Sequence, residues 1–439
     1  MELLKKQIAK RLTNLFVQQI LQQFNEGLID LTEAACQLQI GRTHLYRLRT
    51  RFLSDPRVTA TVDHDLPNIL TIALCTILCG GDSFYDMEEF GEVRLDWLKT
   101  FLPLRNGAPT HDTYNRVFQA LDPEKFGDGL SRWTQSVRTV LGGEVVALDG
   151  KTLRRALNKG EDPRVIVSAW ATQSGWLLGR RKVKNKSNEI TAVPELLRAL
   201  QLAGCIVTAD ALHCQKNIAR EIKEAAAAYV LALKGNQGTA FAEVKSFLDE
   251  AIQRKESPLV TLETTDKAQG RLEVRRYWQT EKLEWFADRQ AWEGLQSVGG
   301  VEARRTVGGQ ESVERRYYLS SLKNAAAKFG KAARGHWGVE NSLHWVLDVV
   351  FGEDDSRARS GHAAENLAAT RRLAVNLLRR DKTCNRSIKG KPMRAAIDPD
   401  YLKLILKNGY ASALRCSLPA SVSSPGIFHA PPSRRRRFE

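Results

Sequence analysis

The stretch VVALDGKTLRR, Val145–Arg155, decides how this chain folds. Val145, Val146, Ala147 and Leu148 make a short apolar run that reads as a buried strand. Asp149 and Gly150 close it, and Lys151, Arg154 and Arg155 follow. An acid at the end of a buried strand is a turn, a helix cap or half of a site, so the cations around it need an explanation.

Working outward, RVIVSAWATQ (164–173) and GWLLGRRKV (175–183) read as two more strands joined by a hairpin at Ser174-Gly175. EITAVPELLRALQL (189–202) is helical by period. CIVTADAL (205–212) is another buried strand ending on an acid, Asp210. A helix at 214–227 and a strand AYVLALKGNQ (228–237) follow, the latter closing on Lys234 and Asn236. From about 258 to 322 strand patterns dominate, and from Gly335 to about Arg380 the pattern is helical.

If the strands of Asp149 and Asp210 are sheet neighbours, both carboxylates leave one edge. Two such groups repel unless a cation joins them. Oxygen ligands with no accompanying Cys/His set favour Mg²⁺ or Mn²⁺. A third acid is available in GHWGVENSLHWVLDVVFGED (335–354). On a helix Val339, Leu343, Val346, Leu347 and Val350 share an apolar face, and Glu340, His344 and Asp348 fall opposite, near Asn341 and Trp337.

Lys+Arg 66 against Asp+Glu 50 gives a formal charge of +16, which points to a polyanionic partner, nucleic acid being the commonest. Seven dispersed cysteines fit a reducing cytoplasm. Cys75 and Cys79, one helical turn apart in an apolar run, read as core residues. That run is shorter than the ~20 residues of a membrane span, so a cytoplasmic, nucleoid-associated protein is expected.

The N-terminal residues 1–54 read as helical, with LTEAACQLQIGRTHLYRLRTRF (31–52) patterned as a helix-turn-helix. Thr32 and Thr43 are the expected caps. Arg42, Tyr46, Arg47 and Arg49 lie around Leu45 and Leu48 as candidate DNA contacts. SDPR (54–57) reads as a linker, and 66–140 as all-helical.

ALDGKT (147–152), TADALHCQK (208–216) and HWGVENSLHWVLDVVFGED (336–354), in that order, resemble the DDE transposases of bacterial insertion sequences, in the branch of the H-repeat-associated proteins. Residues 70–123 resemble the helical domain that precedes catalysis in that branch. The resemblance implies an α/β catalytic core, a ribonuclease H-like mixed sheet with a β-rich insertion, behind all-α N-terminal regions. The implied division is a DNA-binding segment 1–54, a helical transposase-associated domain 55–142, a catalytic domain 143–408 with its insertion at about 239–325, and a disordered basic tail 409–439. It implies Asp149, Asp210 and Glu340 as catalytic acids holding two Mg²⁺ ions, with Mn²⁺ as substitute, acting on terminal inverted repeats and target DNA as a homodimer. Lys151, Arg154, Arg155, Lys234, Asn236, Arg371 and Arg372 are candidate DNA contacts.

A wider group carries Tyr-x-x-Arg-x-x-x-Glu-x₆-Lys around the last acid. Here Ala333, His336 and Leu347 stand at the Tyr, Arg and Lys positions, leaving His336, Asn341 and His344 as candidates for the contacts to DNA ends. Two other readings stay open: a DNA-binding relative without catalysis, and a metal-dependent nuclease without strand transfer.

Overall fold

A computed structural model describes residues 15–25, 29–38, 40–42, 44, 45, 48, 64–136, 142–156, 164–183, 189–254, 259–268 and 271–416. Two compact units divide the chain, one of residues 1–71 and 98–109, the other of 72–97 and 110–439.

The first unit contains α1 (Leu15–Asn25) and α2 (Leu31–Gln37). Ile20 and Leu21 of α1 pack with Ala34 of α2 and with Leu45 and Leu48, all buried. The α2 N-cap is Asp30, whose carboxylate accepts from the Glu33 amide at 2.8 Å. Thr32, the expected cap, lies inside the helix. A carboxylate caps well because it also meets the positive end of the helix dipole. Arg42 is exposed and helical. Thr43, Tyr46, Arg47 and Arg49, with the linker at 54–57, lie outside the described residues.

Helix α3 (Leu66–Leu78) runs across the boundary between the units. In the second unit α4 (Phe84–Val93) starts on a capping box formed by Ser83 and Asp86; α5 (Leu95–Lys99) has residues in each unit, and α6 (His111–Ala120) and α7 (Pro123–Ser136) belong to the second. Beyond α7 come β1 (Val145–Thr152), β2 (Val165–Ala171), β3 (Trp176–Lys182), α8 (Glu189–Arg198), β4 (Ile206–Ala209), α9 (Lys216–Glu224) and β5 (Ala228–Leu233). The expected insertion supplies α10 (Gly238–Arg254), β6 (Val260–Ala268), β7 (Arg271–Thr280), β8 (Ser297–Val307) and β9 (Gln310–Ser320). Helix α11 (Ala326–Val339), a π turn (Glu340–His344) and α12 (Trp345–Val349) follow without a break. The chain then runs through α13 (Ala363–Arg380), α14 (Gly390–Ile397) and α15 (Pro399–Cys416). The last helix takes in residues 409–416 of the stretch expected to be disordered, and 417–439 lie outside the described residues.

The nine strands form one mixed sheet in the order β3-β2-β1-β4-β5-β9-β8-β7-β6. β1, β2 and β3 are antiparallel, while β4 and β5 run parallel to β1. That is the ribonuclease H-like arrangement. The insertion is continuous with it, since β9 pairs antiparallel with β5.

Alternating residues divide the sheet between two cores. Val146, Leu148, Val207 and Leu231 pack with Val193, Ile218 and Val244 of α8, α9 and α10. Val145, Ile206 and Val230 face Phe329, Ala332 and Ala333 of α11. The edge strand β3 is covered by α13: the Asn376 side chain accepts from the Leu177 amide at 2.8 Å and donates to its carbonyl at 2.9 Å. An edge capped in this way is closed to further strand pairing.

Two glycines let α11 lie close to the sheet. A Cβ on Gly299 of β8 would sit 2.5 Å from the Phe329 ring, and one on Gly335 would sit 3.2 Å from Val145 Cγ1. Gly299→Ala therefore overpacks the α11 contact and is expected to destabilise the second unit by about 1–3 kcal/mol. Urea denaturation measures this, and an unchanged midpoint would show that Phe329 has room to move.

Candidate active site

The last parallel pair of β1 and β4 is Leu148 with Ala209. Asp149 and Asp210 are the next residue on each strand. Adjacent strands lie about 4.8 Å apart and side chains alternate, so the two carboxylates leave together toward the α11 face. β1 does not end at Asp149, as the sequence suggests. It continues to Thr152 because its other neighbour, β2, pairs with it as far as Thr152–Val165. The acid marks the end of the parallel ladder rather than of the strand.

Asp210 is held by His213, whose Nδ1 lies 2.7 Å and whose amide nitrogen lies 3.2 Å from Oδ1. Burial pushes the Asp210 carboxyl up, but the hydrogen bond and charge of His213 outweigh it and bring the net pKa below the usual carboxylate value. Asp149 is the opposite case. Burial first, then the charge of Asp210 and to a smaller extent that of Glu340, push it up to about 7. One carboxylate is stabilised ionised, while its neighbour takes up a proton more readily, an effect that a nearby positive charge opposes.

Helix α11, the π turn and α12 run alongside β1. Gly335 lies over Val145. One step along, His336 Nδ1 is 3.3 Å from Thr208 Oγ1 of β4. Further on, His344 Nδ1 is 3.5 Å from Asp149 Oδ2, and Asp348 Oδ1 is 2.7 Å from Lys151 Nζ. Glu340 opens the π turn, where the Trp345 amide bonds to the Glu340 carbonyl, five residues back. Such turns put one extra residue into a helix and often occur at functional positions.

Asp149, Asp210, Glu340, His336, Lys234 and Trp337 line a single cavity. Among the described residues, no three His, Cys, Asp or Glu side chains stand close enough to enclose a metal ion as placed. Asp149, Asp210 and Glu340 nevertheless line one cavity, and an all-carboxylate donor set is the kind a hard divalent cation takes.

His336 and His344 are both driven down to about 4, first by burial, so each is a neutral imidazole near pH 7. Lys234 is exposed at the rim, with no carboxylate partner among the described residues. Asn236 is exposed and donates to the Ala211 carbonyl at 2.5 Å, fixing the turn after Asp210. Asn341 lines a second groove with Glu340 and Trp337. The wall between the two hollows is Arg316, stacked 3.7 Å over the Trp337 ring.

The cations after Asp149 answer the opening question. Lys151 is 7 % exposed and donates to Asp354 Oδ1 at 3.0 Å besides its contact with Asp348. It is a buried tie, and the reading of Lys151 as a phosphate contact is corrected. Arg154 and Arg155 meet Asp354 and Asp355 at 3.3 and 2.9 Å but remain largely exposed. Exposed pairs of this kind are worth at most ~1 kcal/mol, so both arginines stay available to another anion.

Arg371 and Arg372 are also corrected as DNA contacts. Each is 1 % exposed. Arg372 pairs with Glu353 at 2.5 Å, and Arg371 donates to the Asp82 carbonyl. Sequence reasoning also missed His213, although an imidazole three residues after a strand-end acid is a usable signal.

Residues 141–377 match the family described as "Transposase DDE domain", and residues 51–134 match "DDE_Tnp_1-associated". The chain belongs to the DDE transposase family. It is 37 % identical over 369 residues to the "H repeat-associated putative transposase YhhI" of Escherichia coli (strain K12), covering 81 % of this chain and 95 % of that one. A protein of Xanthobacter autotrophicus, "Uncharacterized protein in dhlA 3'region", is 42 % identical over 275 residues, covering 61 % and 92 %. A shorter relative, the "Inactive transposase YbfQ" of E. coli (strain K12), is 41 % identical over 63 residues, 14 % of this chain and 75 % of that one. Among solved structures, a piggyBac transposase synaptic complex with hairpin DNA aligns with TM-score 0.38 at 11 % identity, covering 82 % of this chain and 78 % of that one. No helix among the described residues is long and apolar enough to cross a membrane.

The Asp149 carboxyl keeps its proton to about pH 7 in the fold, against ~3.9 in an unfolded chain. Between those values the folded state binds more protons, so this group's contribution to stability falls as pH rises. Asp149→Asn removes that loss. In buffer without divalent ions it is expected to raise the melting temperature at pH 8, and the gain should vanish as pH approaches 4. A gain independent of pH would contradict the repulsion.

Proposed function

We propose that this transposase is catalytically active, cutting DNA at the terminal inverted repeats of its element and joining the ends to target DNA. The observation that supports this most is that Asp149, Asp210 and Glu340 line one cavity at the end of the parallel strands. A pair of Mg²⁺ ions, or Mn²⁺, held by these carboxylates would supply Lewis-acid activation of water or of a DNA 3′-hydroxyl and stabilise the leaving oxygen.

The protein's own part is positioning. His213 fixes the Asp210 carboxylate in its ionised form. The neutral imidazoles of His336 and His344 offer hydrogen bonds at the cavity without adding charge. Lys234 at the rim and Arg154 and Arg155 beyond β1 are exposed cations suited to phosphates on either side of the scissile bond. Arg42 of the first unit is an exposed cation suited to the DNA backbone. Action on two ends at once favours a homodimer on double-stranded DNA.

Asp149→Asn, Asp210→Asn and Glu340→Gln are each expected to abolish Mg²⁺-dependent cleavage of a labelled element end while leaving its binding nearly unchanged. Each removes a ligand charge but no phosphate contact. Near-normal cleavage by any one would show that residue to be wrongly assigned. Binding without cleavage by the unaltered protein would support the non-catalytic reading, and cleavage without joined products the nuclease. Deleting residues 1–54 is expected to weaken binding and reduce its salt dependence by about 0.9 in slope per lost phosphate contact. An unchanged slope would assign that segment to packing alone.

A further inference from the structure

Lys151 has no role in the chemistry above, yet it is one of two buried lysines among the described residues, with Lys391, and lies two residues from Asp149. Its ammonium meets two carboxylates from another part of the chain, Asp348 on α12 and Asp354 in the turn after it. Glu353 of the same turn is anchored from the core by Arg372 at 2.5 Å. The far end of β1 is thus tied to the segment that follows Glu340, and that segment is tied to α13.

The spacing of the contacts gives the tie its meaning. Strand residues 149 and 151 share a face, and helix residues 344 and 348 share a face. They meet as two rungs, Asp149 with His344 and Lys151 with Asp348. Gly335 over Val145 is the contact at the other end. A helix rises about 1.5 Å per residue and a strand about 3.3 Å, so Gly335–Asp348 and Val145–Lys151 both span about 20 Å. The two elements keep step over their whole shared length.

Between these ends lies the π turn that carries Glu340. Before it, Phe329, Ala332 and Ala333 fix α11 in the core. Within it, Arg379 donates to the Ser342 carbonyl at 2.7 Å, and after it the buried Val346 and Leu347 are joined by the charged restraint of Lys151 on Asp348. If the extra residue were lost to a regular α-helix, side chains on one side of it would rotate by about 100° relative to the other. Holding Asp348 in place opposes that rotation.

We propose that Lys151 is a positioning residue that holds α12 in register with β1 and so keeps Glu340 turned toward Asp149 and Asp210. This rests on the assignment of those three acids as the cation site, and it gives Lys151 no contact with DNA.

The test uses the full chain with Mn²⁺ as probe. Lys151→Met keeps the buried stem and removes the charge, and Lys151→Arg restores it. Calorimetric titration of Mn²⁺ without DNA is expected to show Lys151→Met binding about 10- to 100-fold more weakly, the usual effect of losing a group that orients a metal ligand. Lys151→Arg should recover most of the affinity, and DNA affinity and its salt slope should stay unchanged. Asp348→Asn, at the other end of the rung, should weaken Mn²⁺ in the same direction, and it carries the test if Lys151→Met does not fold.

Unaltered Mn²⁺ affinity in both Lys151→Met and Asp348→Asn would overturn the proposal. So would a salt slope reduced by about 0.9 with metal binding intact, which marks a phosphate contact. The titration does not depend on cleavage. Failure of the transposase reading would show as an unaltered protein that binds Mn²⁺ and cuts nothing. Failure of the positioning reading would show as both Lys151→Met and Asp348→Asn binding Mn²⁺ normally.

Discussion

The site depends on one long contact, the continuous helix from Ala326 to Val349 lying along β1. Gly335 allows the approach at one end by presenting no side chain to Val145. Apolar packing of Phe329, Ala332 and Ala333 holds the first half against the sheet. The second half buries Leu343, Val346 and Leu347 and meets β1 through polar rungs, because β1 there has passed the end of its parallel partner and carries Asp149 and Lys151. The third acid belongs to the helix, so its position relative to the first two is set by how this helix and this strand keep step.

Electrostatics explains why the polar half is built as it is. Two neighbouring strands deliver acids to one edge, and the fold treats them unequally. His213 keeps Asp210 ionised, while Asp149 is left against its neighbours and pushed up to about 7. A group in that state gains a great deal from a divalent cation and little from a monovalent surface charge. The buried cation nearest in sequence, Lys151, is engaged by Asp348 and Asp354 instead. Lys151 thus fastens the end of β1 in place without lining the cavity of the three acids.

Much of this was legible in the residues, for stated reasons. Apolar runs of four to eight with turn residues between them marked β1 to β5, and the parity of Leu148 and Ala209 carried Asp149 and Asp210 to one face. The role of Gly299 in β8 was not legible, because the ring it admits, Phe329, lies in a different element. The union of the insertion with the sheet was hidden too, since the β5–β9 pairing is a long-range contact that no local pattern announces. Paired arginines on a helix read as surface, but α13 is buried around nearly its whole circumference, and Arg371 and Arg372 went inside with it. Lys151 was misread for a related reason: its partners lie far along the chain, in DVVFGEDD (348–355), and only the fold brings the two charge patterns together.

The most direct measurement of whether the helix brings a third acid to the pair is a crystal structure of the protein soaked in Mn²⁺, with anomalous scattering used to place the ion. The expected result is a peak between the Asp149 and Asp210 carboxylates with Glu340 turned onto it, and the Lys151–Asp348 contact intact. An ion bound elsewhere, or one held by the two aspartates with Glu340 facing solvent, would contradict a three-carboxylate site.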